Sequence, residues 1–270
     1  MGTPLGNRGD LSPRAREALL GADLLFCEDT RSPTRLLGND VSLPPRRSCF
    51  VGNEHERTAE LLDALAAGQT VAFCSEAGMP SWSDPGQLLV RAAVGAGFSV
   101  DVVPGPTAAS AALSLSGFDA TGACFMGFIA RDGKARSTAL AQIAAARGPS
   151  LLYEAGNRTP GLLRDLAKVL PDAGAREVVV CRELTKLHQE VLRGTVADLH
   201  ARTTEALRGE VTVVVEGGDA AEAESVDAAR AVLDVMLDPS LKPRPRARAL
   251  ADLTGLDARE VYERLRDARS

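Results

Sequence analysis

Gly2-Thr3-Pro4-Leu5-Gly6-Asn7, Ser75-Glu76-Ala77-Gly78-Met79-Pro80 and Pro104-Gly105-Pro106-Thr107 are three glycine- and proline-rich loops whose reading decides the fold. The second follows the apolar run Val71-Ala72-Phe73-Cys74, and the third follows Val100-Asp101-Val102-Val103. Glycine lets a backbone approach a ligand and proline fixes the turn, so such loops at the carboxyl ends of strands line one crevice of an open α/β sheet. Around them, short β-branched runs alternate with longer alanine- and leucine-rich segments, the pattern of βαβ units. Helices are predicted over Leu11–Ala22, Thr58–Ala67 and Gln87–Ala96, with strands over Leu24–Cys27, Val71–Cys74 and Phe98–Val103. This order reads as a parallel, doubly wound sheet.

A second series starts near residue 121, where Phe125–Phe128 opens it or crosses the junction. Helices are predicted over Ala135–Arg147 and Thr159–Val169, and strands over Ser150–Tyr153, Glu177–Cys181 and Val211–Val215. The resulting division is an α/β domain over 1–118, a second α/β domain over 119–218, and a tail over 219–270. In the tail, Asp219–Glu224 reads as an acidic, alanine-rich linker. The helical segments Asp227–Leu237, Arg246–Leu253 and Asp257–Asp267 follow it. The last two, joined through Thr254-Gly255-Leu256, match a helix-turn-helix outline or a structural cap.

Composition narrows the function. The 270 residues are 45% hydrophobic, with no apolar run near the roughly 20 residues of a membrane span. No charged-then-apolar leader opens the sequence, so a cytoplasmic protein without a membrane partner is expected. Five cysteines, none in a Cys-x-x-Cys pair, and three dispersed histidines argue for structural thiols and against a metal site. A net charge of −5 argues against indiscriminate nucleic-acid coating but leaves room for a local basic patch. Residues 241–270 hold eight Lys or Arg against five Asp or Glu. The run Lys242–Arg248 among them reads as a solvated linker or an RNA-contacting segment. Neither Gly-x-Gly-x-x-Gly nor a Gly-Lys-Ser/Thr phosphate loop occurs, which disfavours a Rossmann oxidoreductase and a P-loop NTPase.

The ordered set of motifs resembles the tetrapyrrole-methylase superfamily, in its rRNA small subunit methyltransferase I branch. The matching runs are Gly2-Thr3-Pro4-Leu5-Gly6-Asn7-Arg8-Gly9-Asp10, Glu28-Asp29-Thr30-Arg31, Ser83-Asp84-Pro85-Gly86 and Pro104-Gly105-Pro106-Thr107-Ala108-Ala109. The second half adds Arg182-Glu183-Leu184-Thr185-Lys186-Leu187-His188 and Arg193-Gly194-Thr195. The resemblance implies a homodimer of two-domain α/β subunits with the class III methyltransferase fold and a small C-terminal helical module. It also implies S-adenosylmethionine in the interdomain cleft and methylation of a cytidine ribose 2′-hydroxyl in 16S rRNA of the small ribosomal subunit.

Methyl transfer from a sulfonium needs alignment of donor and acceptor, and a ribose hydroxyl also needs help losing its proton. Glu28 and Asp29 from the first carboxylate run, and Glu183 and Lys186 from the second, are the candidates; Lys186 could instead neutralise a phosphate. The superfamily's binding loops correspond to Ser75, Glu76, Ala77, Thr107 and Ala108, with Pro4 and Gly6 forming the first loop. Tyr153-Glu154 and Glu216-Gly217 correspond to further cofactor contacts. Arg8, Arg31, Arg57, Arg158 and Arg193 are candidates for RNA phosphates, because a guanidinium fork suits phosphate oxygens. Trp82, the single tryptophan, is a candidate for stacking on a base or for packing.

The chain departs from the family pattern at several points. Glu76 and Met79 replace the usual aspartate and threonine, Phe50-Val51-Gly52 stands where two histidines precede Asn-Glu, and Ala155-Gly156-Asn157 replaces Ser-Pro-His. Members also carry an apolar strand before the Gly-Thr-Pro loop, where this sequence has Met1. Without it, unpaired backbone groups are expected beside the cofactor. Such departures fit a divergent member, a tetrapyrrole or small-molecule methyltransferase, or a catalytically silent RNA-binding assembly factor.

Overall fold

Leu24–Cys27 forms β1, a strand buried along its whole length, as expected for a central strand of a parallel sheet. It pairs in parallel with β2 (Arg46–Ser48) on one side and β3 (Val71–Cys74) on the other. Strand alternation sends Leu24 and Phe26 to one face, where they pack with Leu61 and Ala64 of α3 (Glu54–Ala66) and Leu89 and Ala93 of α4 (Gln87–Gly95). Leu25 and Cys27 face the other way, onto Leu19 of α1 (Pro13–Gly21) and Leu36 and Leu37 of α2 (Ser32–Leu37). Each such fully buried leucine or phenylalanine contributes about 1.5–3 kcal/mol. Ser12 caps α1 through its hydroxyl, which accepts from the Ala15 N–H, and Pro13 occupies the first helical position.

The structure is a computed structural model, and it describes residues 1–218, 230–254 and 256–267. Residues 119–218 carry a mixed sheet in the order β4 (Cys124–Phe128), β5 (Ser150–Ala155), β8 (Glu210–Val215), β6 (Glu177–Arg182), β7 (Glu190–Thr195). Only the β4–β5 pair is parallel; β8 runs antiparallel to both β5 and β6. One face packs on Leu140 and Ile143 of α6 (Gly133–Ala145), Leu162 and Leu166 of α7 (Thr159–Val169) and Leu199 of α8 (Val196–Arg202). The other face takes Ala109 and Ala112 of α5 (Ala108–Ser116), which lie against Leu151, Val179 and Val214.

The expected strand over Phe98–Val103 does not form. A strand exists by pairing, whereas this segment is held at its ends by isolated bonds, from the Phe98 N–H to the Ala93 carbonyl at 3.0 Å and from the Gly2 N–H to the Val103 carbonyl at 2.9 Å. Val100 and Val102 are exposed.

Close contacts divide the chain into two compact units, Met1–Ala144 with Gly148–Glu216, and Ala145–Arg147 with Gly217–Ser270. In the second, residues 230–237 are helical (α9) and precede α10 (Pro243–Thr254) and α11 (Ala258–Asp267). Ala247, Leu250, Ala251 and Val261 form its core with Val232, Val235 and Leu265. Lys242–Arg248 is thus not a linker: Pro243 opens α10, and the Arg246 guanidinium donates to the Asp238 carbonyl. The expected linker Asp219–Glu224 and the turn residue Gly255 lie outside the described residues.

Candidate functional site

The three loops meet through backbone. Gly2 N–H reaches Val103, Thr3 and Gly78 exchange backbone hydrogen bonds at 2.9 and 3.1 Å, and the Thr3 hydroxyl donates to the Ser75 carbonyl at 3.3 Å. The approach requires glycine: a Cβ on Gly105 would lie 2.7 Å from the Gly2 Cα. Gly78, at φ +81°, sits with Leu5 and the Pro106 carbonyl each 3.3 Å from where its Cβ would be. Thr107 caps α5, its hydroxyl accepting from the Ser110 N–H at 3.1 Å. Ala109, buried at the start of that helix, ties it across to the second sheet: its N–H donates to the Tyr153 oxygen at 3.3 Å.

Between the loops and the ends of β5 and β8 lies a cavity of about 390 Å³, within the ordinary size of a small-ligand site. Glu76, Ala77, Thr107, Ala108, Tyr153 and Glu154 line it, so six of the sequence-predicted cofactor residues are brought together. Ser75 is buried just behind, its hydroxyl donating to the Gly78 carbonyl at 3.2 Å. Pro4 and Gly6 frame the wall while Leu5 lines it, and Gly6 presses against the Lys186 side chain with no room for a Cβ. Glu216 and Gly217 are not brought to this cavity. Because β8 runs antiparallel to β5, its first residue, Glu210, reaches the cavity and its far end lies roughly 20 Å away. There the Glu216 carboxylate accepts from the Glu177 N–H.

The four predicted catalytic residues separate into different environments. Glu28 lines the cavity, and burial raises its carboxyl against the Glu76 N–H that donates to it at 3.0 Å. Asp29 instead holds Arg31 and Arg35 at 2.8 and 2.7 Å. Hydrogen bonds from Arg31 hold its carboxyl down to about 2, which makes it a weak base that organises two exposed guanidinium groups. Lys186 Nζ donates to Glu183 at 2.9 Å and to Glu210 at 2.8 Å. Glu183 also accepts from the Glu210 N–H, and that bond is the main reason its carboxyl is lowered.

Two loops carry backbone strain. Ser81, Ser83, Glu183 and Thr185 are the non-glycine residues with left-handed φ among those described, at 64, 65, 51 and 65°. Such residues cost about 1–3 kcal/mol each and persist where surrounding contacts over-determine them. The first loop carries Trp82 and Asp84 to the cavity. The Trp82 ring stacks on Phe125 at 4.7 Å, its indole N–H faces the Tyr153 oxygen, and Phe128 packs edge-on to Tyr153 at 5.6 Å. Trp82 and Phe128 are nonetheless 42% and 59% exposed.

Among the arginines, Arg8 and Arg31 are exposed. Arg57 is engaged with Glu60 and the Ser48 carbonyl, Arg158 with buried Glu154 at 3.1 Å, and Arg193 with the Leu115 carbonyl at 2.6 Å. Those three are engaged within the fold, unlike the exposed Arg8. Sequence reasoning gave no role to Asp84, Phe128 or Glu210. Asp84 stood in a quoted Pro-Gly motif, whereas nothing in the local sequence marks the other two.

Five carboxylates and an aromatic wall around one cavity suit an organic cation. Residues 1–200 match the family described as Tetrapyrrole (Corrin/Porphyrin) Methylases. The chain is 43% identical over 217 residues to the ribosomal RNA small subunit methyltransferase I of Mycobacterium tuberculosis, covering 80% of this chain and 75% of that one. It is 36% identical to the protein of the same name from Xylella fastidiosa, over 96% and 95% of the two chains. The chain belongs to the tetrapyrrole methylase family, in the branch of these small subunit enzymes. Among solved structures, this methylase resembles CobJ (TM-score 0.61) and the cobalt precorrin-4 methyltransferase CbiF (TM-score 0.58), each 19% identical and covering 80% of this chain and 92% of the other. At that identity the likeness carries the fold alone. The methylase's donor is S-adenosylmethionine, and the residues present fit it: Ala77, Gly78, Thr107 and Ala108 line the cavity with loop backbone, and the carboxylates and Tyr153 complement a sulfonium.

Proposed function

We propose that the chain transfers the methyl group of S-adenosylmethionine to a cytidine ribose 2′-hydroxyl in 16S rRNA of the small ribosomal subunit, acting as a homodimer. The observation that carries this reading is identity of 36% across nearly the full length of a small subunit methyltransferase. The cavity supports it. When bound, the donor supplies an electrophilic methyl carbon on a good leaving group, so the protein's work is alignment and removal of one proton. Ala77, Thr107 and Ala108 would hold the donor through loop backbone, and Glu28 and Tyr153 would face its charge. Trp82 and Phe128, apolar and exposed at the mouth, offer stacking faces for an unstacked base. Arg8, Arg31 and Arg35 offer exposed guanidinium groups for phosphates.

Incubation of unmethylated small subunits with labelled donor, followed by digestion to nucleosides, tests the reaction. Label in 2′-O-methylcytidine is expected; label on a base, or none in rRNA, overturns the assignment. Trp82→Ala is expected to raise KM for the subunit about tenfold or more, since stacking on an aromatic ring is worth about 1–3 kcal/mol per base. Calorimetry should show donor affinity little changed. An equal loss of donor binding would place Trp82 in the donor site instead.

A further inference from the structure

Of the five carboxylates that line the cavity, four are already engaged. Glu28 accepts from the Glu76 N–H, Glu76 from the Ser32 hydroxyl with Arg35 at 3.9 Å, Glu154 from the Ala155 N–H and Arg158, and Glu210 from Lys186. The fifth, Asp84, makes no hydrogen bond or ion pair among the described residues. It is carried by the loop in which Ser81 and Ser83 hold left-handed φ, beside Trp82, and close enough to Tyr153 for its charge to be felt by the phenol. A free carboxylate that follows Trp82 in sequence and lines the same cleft as the donor loops has the placement of a general base.

We propose that Asp84 is the catalytic proton acceptor of the methyl-transfer step, an inference that rests on the reading of the site as a ribose methyltransferase. In the balanced step the hydroxyl oxygen takes the methyl carbon, leaving the C–S electron pair on sulfur, while Asp84 takes the hydroxyl proton and later returns it to water. The groups that face Asp84 set its basicity. Glu28 comes from the end of β1, Glu76 from the loop after β3, Glu210 from the start of β8 with its partner Lys186 from the loop between β6 and β7, and Tyr153 and Glu154 from β5. Burial, and then the charges of Glu28, Glu210 and Glu76, push the Asp84 carboxyl up to about 6. It is therefore mostly ionised at neutral pH yet binds a proton far better than an ordinary aspartate, the compromise that a base working near pH 7 requires. Asp29, at about 2, lacks that basicity, and Lys186 is committed to two carboxylates.

The test uses the full chain with Asp84→Asn and Asp84→Glu, each compared with wild type in thermal melting. Single-turnover methylation of small subunits is followed from about pH 5.5 to 9, donor binding by calorimetry, and the carboxyl resonances of aspartate-labelled protein by carbon NMR. Wild type is expected to lose rate on the acid side with an apparent pKa near 6, and to show one aspartate resonance titrating there. Asp84→Asn should remove that resonance and the acid limb, lower the rate about 10²- to 10⁴-fold and leave donor affinity within about threefold. Asp84→Glu should restore part of the rate. Asp84→Asn methylating at the wild-type rate, or a spectrum without the titrating resonance, overturns the role of Asp84. If wild type itself leaves subunits unmethylated while the resonance titrates as expected, the ribose reading falls and takes the proton-transfer role with it.

Discussion

Glu54→Ala is expected to lower stability by about 3 kcal/mol and to disable the RNA side of the cavity before the donor side. Glu54 is the first residue of α3, 6% exposed, and one of its oxygens accepts from the N–H groups of Gly86 at 2.8 Å and Leu88 at 2.9 Å. These are orphan donors at the start of α4, whose cap position is Gly86 and therefore has no side chain to satisfy them. A negative group there also meets the positive end of the helix dipole. Truncation would leave two N–H groups unpaired in the interior, at about 1–3 kcal/mol each before relaxation. Glu54→Gln keeps an accepting oxygen and loses the charge, so about 1 kcal/mol is expected for it.

The functional consequence follows from what α4 holds. Gly86 closes the loop that starts at Ser81, whose N–H donates to the Pro85 carbonyl, and that loop presents Trp82 and Asp84. The donor loops are fixed elsewhere, through Thr3, Ser75 and Tyr153. Urea unfolding and calorimetry therefore separate the effects: Glu54→Ala should shift the unfolding midpoint and slow methyl transfer while donor affinity falls less. Unchanged unfolding would show that α4 has another cap.

What could be read from sequence, and what could not, divides along local and non-local physics. The three loops were readable because glycine and proline act on their own backbone, and β1 and α7 were delimited because burial and the Thr159-Pro160 start are local signals. Phe98–Val103 looks like a strand by composition, yet strand formation is decided by a neighbour far along the chain. The half-polar run Glu190–Thr195 pairs with β6 over its full length and gave no strand signal of its own. Direction was equally invisible. Val211–Val215 reads as a strand from its sequence, but its antiparallel course, which brings Glu210 to the cavity instead of Glu216, is a property of the sheet. At the site, the Glu-Asp-Thr-Arg run pointed to carboxylates without saying which was free. Asp29 is neutralised by the Arg31 of its own motif, whereas Asp84 has no hydrogen-bond or ion-pair partner among the described residues.

Lys186→Ala is expected to slow methyl transfer about tenfold or more while leaving donor affinity nearly intact, and to lower stability by about 1–2 kcal/mol near neutral pH. The stability estimate is kept small because Glu210 is largely exposed, although Glu183 and Lys186 are not. The pH dependence has a definite sign. Glu183 is lowered by the Glu210 N–H and by Lys186, so its contribution is present above its ordinary value of 4.5 and is lost as pH falls through the lowered one. For Lys186, burial alone would lower the ammonium, but hydrogen bonds from it to Glu210 and Glu183 outweigh burial and raise it. Its contribution is present below its ordinary value of 10.5 and is lost as pH rises through the raised one. The gap between wild type and variant should therefore be widest between those two ordinary values and close at both extremes. In the rate, loss of the ammonium leaves the Glu210 charge unopposed, and Glu210 is one of the groups that raise Asp84. The acid limb of the pH–rate profile should then move upward from about 6 in Lys186→Ala, whereas an unmoved limb with reduced rate would assign Lys186 to phosphate binding.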